Sequence, residues 1–460
     1  MNSSESKLTT RREFLRTTGG VLAVSALAGA SIPHVFAAES GDIQLALVGC
    51  GGRGSGAVFN ALAAKGGPSK LVAMADAFQD RLNDSYNGIS GELGKQVDVP
   101  KERQFIGFDA YKKAMDCLKP GDVVILTTPP AFRWVHFTYA IQKKLNVFME
   151  KPVTVDGPTS KRMFQLAKDA SAANLKVGVG LMSRHARPMQ ELHDRIANGE
   201  VGDIILMRGY RMHGPAASFE SGPKPGNMKE IEYQIRRFHS FLWASGGCFS
   251  DFYIHHIDHL CWMKNDWPIS AQALGGRHYR TAADGTPWVD QNLDTYSVEY
   301  TFKDGSKFYF DGRCMDGADT IYHSCVHGTK GLAIASKVND CGAPSSIYKG
   351  QKEDPANQLW ISKDNSNPYQ NEWDDLMAAI RQDKPYNEVE NGVNTSLVTS
   401  MGRMAAHTGR TITYDAMLNC QHEFAPGLDK LTDSSPSPLQ ANAKGLYPVP
   451  MPGITVDREY

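Results

Sequence analysis

Short apolar runs alternate with longer amphipathic stretches over the first part of the chain. Residues 43–48, Ile-Gln-Leu-Ala-Leu-Val, have the length and character of a buried parallel strand. Further runs of this kind occur at 70–75, 122–127, 146–149 and 176–181. Helical periodicity follows the first run as far as residue 64, and returns at 110–117, 136–144 and 159–173. This alternation predicts an α/β Rossmann domain, a doubly wound parallel sheet over residues 41–183.

The texture changes near residue 203. Strand-like runs at 203–211, 269–277, 295–302, 307–312 and 331–335 lie close together, and Lys303-Asp304-Gly305 separates two of them as a hairpin turn would. Helical pattern is sparse apart from 252–263, and two helices close the region at 372–382 and 393–408. The expectation is a C-terminal α+β domain over 184–415, built on a mostly antiparallel open sheet, with its last helices packing back on the first domain. Residues 416–460, rich in Pro, Ser and Asn, read as a surface-wrapping tail.

The chain has 460 residues, 41% hydrophobic and 22% charged, which suits two or three globular domains and excludes whole-chain disorder. Lys plus Arg number 49 against 50 Asp plus Glu, a balance that argues against nucleic acid as partner. The N-terminus changes that balance. Thr10-Arg11-Arg12-Glu13-Phe14-Leu15-Arg16 is followed by an uncharged Gly- and Ala-rich run over 19–32 and by Val35-Phe36-Ala37-Ala38. This is the twin-arginine signal pattern, and the apolar run is shorter than the ~20 residues a membrane span needs. Cleavage of residues 1–37 would remove four basic and two acidic residues, leaving 45 against 48 and a net charge of −3. The predicted location is periplasmic or otherwise exported, with no membrane association after cleavage. Eight scattered cysteines form no CxxC pair. Because the twin-arginine route carries proteins folded in the reducing cytoplasm, buried free thiols are expected rather than disulfides.

Gly49-Cys50-Gly51-Gly52-Arg53-Gly54 is a GxGxxG element that follows a predicted strand and opens a helix. Gly49 suits the tight turn, Gly51 a close approach by a pyrophosphate, and Gly54 close helix packing. Asp76, 27 positions after Gly49, ends the next strand and can accept both ribose hydroxyls of an adenosine. Ala77-Phe78 offers no arginine for a 2′-phosphate, so NAD is expected rather than NADP. Gly52 and Arg53 belong to the same loop, with Arg53 either near the pyrophosphate or in solvent.

Further landmarks are Thr127-Thr128-Pro129-Pro130, His136, Glu150-Lys151-Pro152 and the stretch Gly246 to Asp258, which contains Asp251 and His255 in an Asp-x-x-x-His pair. Together these resemble the Gfo/Idh/MocA family of sugar-type oxidoreductases over about residues 41–415, departing from its common pattern at Tyr253 and His256. The resemblance implies that Thr128, Pro129, His136, Glu150 and Lys151 line the cofactor site. It implies Lys151 as the cation that stabilises an alkoxide and His255 as general base, with Asp251 one helical turn earlier, orienting His255 or binding substrate.

Asp258 reads as structural. Arg184 and His185, at the carboxyl end of the last Rossmann strand, are candidate substrate contacts, with Tyr210, His213, Trp243 and Arg313 as weaker ones. The i, i+4 pair His255 and His259 lacks the HExxH glutamate and a third ligand, so no metal is expected. The implied function is NAD-dependent hydride transfer at a ring C–OH of a carbohydrate or polyol. Two alternatives are redox-neutral chemistry, as in the related NAD-dependent glycosidases of family 109, and a non-catalytic NAD- or sugar-binding module. Little free NAD exists outside the cytoplasm, so an exported enzyme is expected to hold its cofactor tightly. The family often assembles through the open sheet face, which implies a homo-oligomer, a dimer or tetramer.

Overall fold

A computed structural model describes residues 41–342 and 344–460. The predicted export signal lies outside the described residues. The first half alternates β1 (Ile43–Val48), α1 (Gly52–Leu62), β2 (Ser69–Asp76), α2 (Gln79–Leu93), β3 (Gln104–Ile106), α3 (Ala110–Asp116), β4 (Val123–Leu126), α4 (Arg133–Gln142), β5 (Asn146–Met149), α5 (Gly157–Ala172) and β6 (Val177–Val179). All neighbouring strands pair parallel, in the order β3-β2-β1-β4-β5-β6. The order reverses at β1/β4, where a doubly wound sheet opens its crevice. β4 and β5 are buried at every position, as strands covered on both faces must be.

The second half continues with α6 (Arg187–Ala197), β7 (Ile204–His213), α7 (Glu230–Arg236), α8 (Leu242–Ser245), α9 (Gly247–Phe252) and α10 (Ile254–Lys264). Then follow β8 (Ser270–Gly276), β9 (Thr295–Thr301), β10 (Lys307–Cys314), β11 (Ile321–Gly328), β12 (Gly331–Ser336), β13 (Ser346–Lys349) and β14 (Gln358–Ile361). The chain closes with α11 (Pro368–Arg381), α12 (Val389–Thr408), β15 (Ile412–Thr413) and α13 (Tyr414–Leu418). The nine-stranded sheet runs β14-β13-β12-β11-β7-β10-β9-β8-β15 and is antiparallel except at β7/β10.

One face of this sheet is covered. Gly209 and Gly312 lie against Leu260 and Tyr253, and Ser324 meets His259, all from α10 and the residue before it. Tyr253, which departs from the family pattern, is therefore core: its ring packs over Gly312 and its hydroxyl lies 3.4 Å from Cys314 Sγ. The opposite face is open and carries exposed Leu274, Tyr309, Ile321, Leu359 and Ile361. α11 returns to the first half, where Trp373 stacks on Phe148 at 4.5 Å. All eight cysteines are free, five buried and three half-buried.

The tail does more than wrap the surface. Its penultimate residue, Glu459, is buried and takes a bidentate pair from Arg403 at 2.8 and 2.9 Å, with His407 2.8 Å away. Arg403 also donates to Val155 O, Gly246 O and Ser250 Oγ. The end of the chain thus ties the segment after Lys151 to the start of α9. Among the described residues no helix is long and apolar enough to cross a membrane.

Candidate active site

The glycine loop has the geometry its spacing predicts. Gly49 sits at φ +100°, and a Cβ there would lie 2.7 Å from Thr127 C and Thr128 N. A Cβ at Gly54 would meet Gly49 O at 2.1 Å, so only glycine lets α1 approach β1 and β4 this closely. Above Gly52 there is open space within 4 Å, and above Gly51 only Arg81 Nη1 at 3.9 Å. α1 begins with no side-chain cap, leaving its first N–H groups for an anion. The loop opens on a cleft of about 730 Å³ whose walls include Asp76, Phe78, Arg81, Thr128, Pro129 and His136. A dinucleotide fits this cradle: backbone open at the pyrophosphate position, an acidic residue at the ribose position, and apolar walls.

Asp76 accepts from Cys50 N at 2.6 Å and Phe78 N at 2.9 Å, which fixes its carboxylate at the end of β2. The expectation of no nearby arginine needs correction, since Arg81, in the first turn of α2, lines the cleft. Its guanidinium leans toward Gly51, over the pyrophosphate glycines. His136 Nδ1 lies 3.2 Å from Thr128 Oγ1, and burial followed by the Arg133 charge lowers its pKa to about 3. It is a neutral wall. Arg133, absent from the sequence-derived set, donates to Leu126 O and Thr128 O and so pins the loop after β4. Arg53 pairs with Glu150 Oε1 at 2.6 Å and lies over Tyr369, while its side chain stays 45% exposed. Behind Glu150, Glu372 is buried with both oxygens unpartnered, and burial followed by the Glu150 charge pushes its pKa well up.

Outside the residues that line this cleft, side chains distant in sequence converge after the end of β5. Lys151 Nζ donates to Asp251 O at 2.6 Å and lies 3.7 Å from Asp251 Oδ1. Asp251 Oδ2 lies 3.1 Å from His239 Nε2. Burial opposes the Asp251 charge, but Lys151 and His239 outweigh it and bring its pKa to about 2. Asp251 does not orient His255, whose Nδ1 is buried without a partner. Burial, then the Lys151 and Arg211 charges, hold His255 well below the ordinary imidazole range, so it is a neutral proton acceptor at pH 7. Arg211 donates to Asp340 Oδ1 at 2.6 Å and to Phe252 O. His213, on the same strand face, stacks on Tyr322, and its Nε2 is buried and unpartnered. His256 has no exposure and two unpartnered nitrogens, 3.6 Å from Asp340.

Five of the six proposed substrate contacts are placed elsewhere. Trp243 has no exposure: its Nε1 donates to Gln234 and its ring supports Phe132, so it is core. Arg184 forms a bidentate pair with Asp258, which also accepts from Thr395; this confirms Asp258 as structural. His185 bridges Asp375 and Glu388 at 2.8 and 3.0 Å. Burial opposes its charge, but the two carboxylates outweigh burial and raise its pKa to about 10, making it a structural imidazolium. Tyr210 and Arg313 project from the open sheet face, because strand side chains alternate and their neighbours Gly209 and Gly312 face the helices. Among the described residues no group of three His, Cys, Asp or Glu is arranged to hold a metal ion.

The fold and this convergence define a dinucleotide-fold oxidoreductase. Residues 189–334 match the family described as GFO/IDH/MocA C-terminal domain. The inositol 2-dehydrogenase of Rhizobium meliloti is 22% identical over 316 residues, which is 68% of this chain and 82% of that one. The solved structure of an aldose-aldose oxidoreductase from Caulobacter crescentus superposes with a TM-score of 0.60 at 14% identity, over 81% of this chain and 99% of that one. The WlbA dehydrogenase from Bordetella pertussis, in complex with NADH and UDP-GlcNAcA, gives a TM-score of 0.62 at 18% identity, over 81% and 98%. The chain is thus similar to Gfo/Idh/MocA oxidoreductases, and residues 189–334 match that family's C-terminal domain.

Proposed function

We propose that this chain is an exported enzyme that uses tightly held NAD to move hydride at a ring hydroxyl of a sugar or polyol. The observation that carries the reading is Lys151 Nζ bonded 2.6 Å from Asp251 O, joining the end of β5 to the helices that bear Asp251 and His255. The relatives' names, inositol 2-dehydrogenase and aldose-aldose oxidoreductase, support the substrate class. NADH in the WlbA structure supports the cofactor.

Asp251 remains a carboxylate at neutral pH and holds the Lys151 ammonium in place. Lys151 presents positive charge to the oxygen that becomes alkoxide-like. His255, neutral, accepts the hydroxyl proton. Gly49, Gly51, Gly54 and Asp76 would hold NAD, which would supply the hydride acceptor. His213 and the Arg211–Asp340 pair form the far wall, where substrate hydroxyls would be read. The exposed apolar side chains of the open sheet suit a homo-oligomer joined through that face, which light scattering would test.

The test is to purify the protein without added cofactor and assay it with free sugars, inositols and aryl glycosides. Dinucleotide released on denaturation, with a keto product and reduced bound nicotinamide, is the expected result. Aglycone release without net reduction would assign redox-neutral glycosidase chemistry instead. No bound dinucleotide would sink the tight-binding claim. N-terminal sequencing of the secreted protein should begin near Ala38.

A further inference from the structure

Residues 214–246, between β7 and α9, form a strap along the cofactor cleft. Ile235 and Phe238 are part of the cleft wall. Between them Arg236 makes a bidentate pair with Asp80 on α2, at 2.8 and 3.0 Å, and lies 4.0 Å over the Phe78 ring. The next residue after Phe238 is His239, and it reaches the catalytic carboxylate. We infer that His239 is a positioning residue for the reaction: it pins Asp251 so that Asp251 holds Lys151 in place. The inference rests on the proposed function.

Both ring nitrogens of His239 have partners. Its backbone N–H donates to Ser218 Oγ at 3.3 Å, and Ser218 Oγ also lies 3.0 Å from its Nδ1. The one Ser218 hydroxyl thus holds both the backbone and the ring of His239. On the other side of the ring, Nε2 lies 3.1 Å from Asp251 Oδ2, in ion-pair contact with the carboxylate. The ring is also held on its faces, 3.8 Å from Phe238 and 5.4 Å from Phe252. The His239 backbone carbonyl accepts from Asn292, which bonds Phe219 O as well. A side chain with both nitrogens and both faces engaged has one rotamer, which a positioning residue needs. Asp251 takes its side-chain contacts from Lys151 and His239, not from His255. Without His239, one Asp251 oxygen loses its donor and the carboxylate is free to swing off Lys151. The same strap walls the cofactor and supplies this donor, so cofactor enclosure and catalytic alignment share one segment.

The full-length protein with His239→Phe keeps an aromatic ring but no donor, while His239→Gln keeps an N–H for Asp251. Bound dinucleotide should be unchanged in both. With whichever of myo-inositol, scyllo-inositol or D-glucose the wild type oxidises, His239→Phe should lose roughly 10²-fold in kcat with little change in KM, the scale of a misplaced catalytic group. His239→Gln should recover most of that loss. A crystal structure of His239→Phe with NAD bound should show the Asp251 carboxylate turned away from Lys151. Wild-type kcat in His239→Phe, or loss of dinucleotide from both variants together, would overturn the inference. If the wild type oxidises none of the probes, the proposed function fails, and the crystal structure alone decides: an unmoved Asp251 overturns the role of His239.

Discussion

The two ends of the active cleft are built in different ways. The dinucleotide end is made of backbone: Gly49, Gly51, Gly52 and Gly54 in one loop, closed by Asp76 at the end of the next strand. The proposed substrate end is made of side chains from separate segments, namely Lys151, Arg211, His239, Asp251, His255 and Asp340. The first is local, and at Gly49 and Gly54 it has no room for a Cβ. The second depends on long-range tethers, among them the buried Arg403–Glu459 pair. A cofactor common to many enzymes needs one fixed cradle, while a substrate site can be reshaped by moving any of several supporting segments.

Breaking the tether should have the largest effect. Glu459→Ala leaves Arg403 charged and buried, a change expected to cost about 3–5 kcal/mol by denaturant unfolding. The pKa of Glu459 falls to about 2: burial opposes its charge, but Arg403 and His407 outweigh that. A depressed carboxylate stabilises above its unfolded pKa and loses that contribution as pH falls through its folded pKa. The gap between wild type and Glu459→Ala should therefore narrow from the ordinary value of 4.5 toward 2.

Lys151→Met should lower kcat by about 10²- to 10³-fold while dinucleotide stays bound, separating the two ends chemically. Gly54→Ala should do the reverse. Its Cβ would clash with Gly49 O, costing about 1–3 kcal/mol of stability and depleting bound dinucleotide, with the Lys151–Asp251 contact intact. The smallest effect belongs to the clasp between the ends. Asp80 is largely exposed, so Asp80→Asn should weaken retention by at most ~1 kcal/mol, read as faster dinucleotide loss in a washout assay. High salt should mimic it.

This division also governed what could be read from the sequence. The glycine loop and its strands were legible because their constraint is local: an apolar run, three spaced glycines, an acidic strand end. Lys151, Asp251 and His255 were reached through short motifs. His239, Arg211 and Asp340 carry no such mark, since only the tertiary fold brings a strap, a strand and a β12–β13 loop together. Trp243 and His185 misled for a related reason: an aromatic or a histidine near a cleft has the same sequence whether it faces the cleft or the core. The helix α2 escaped notice because only Leu82, Ser85 and Ile89 of its 15 residues are buried, too thin a stripe to show periodicity. β11 escaped because Ser324, a polar residue, occupies an inward position bonded to His259.

In the proposed function the molecule carries its own hydride acceptor to a Lys151-centred substrate site. The most direct test mixes purified protein, with no added cofactor, with inositols and aldoses and follows the absorbance of reduced nicotinamide. The absorbance should rise until it matches the amount of dinucleotide bound, and should not rise in Lys151→Met. An unchanged spectrum from protein that does contain dinucleotide, with every sugar tried, would contradict it.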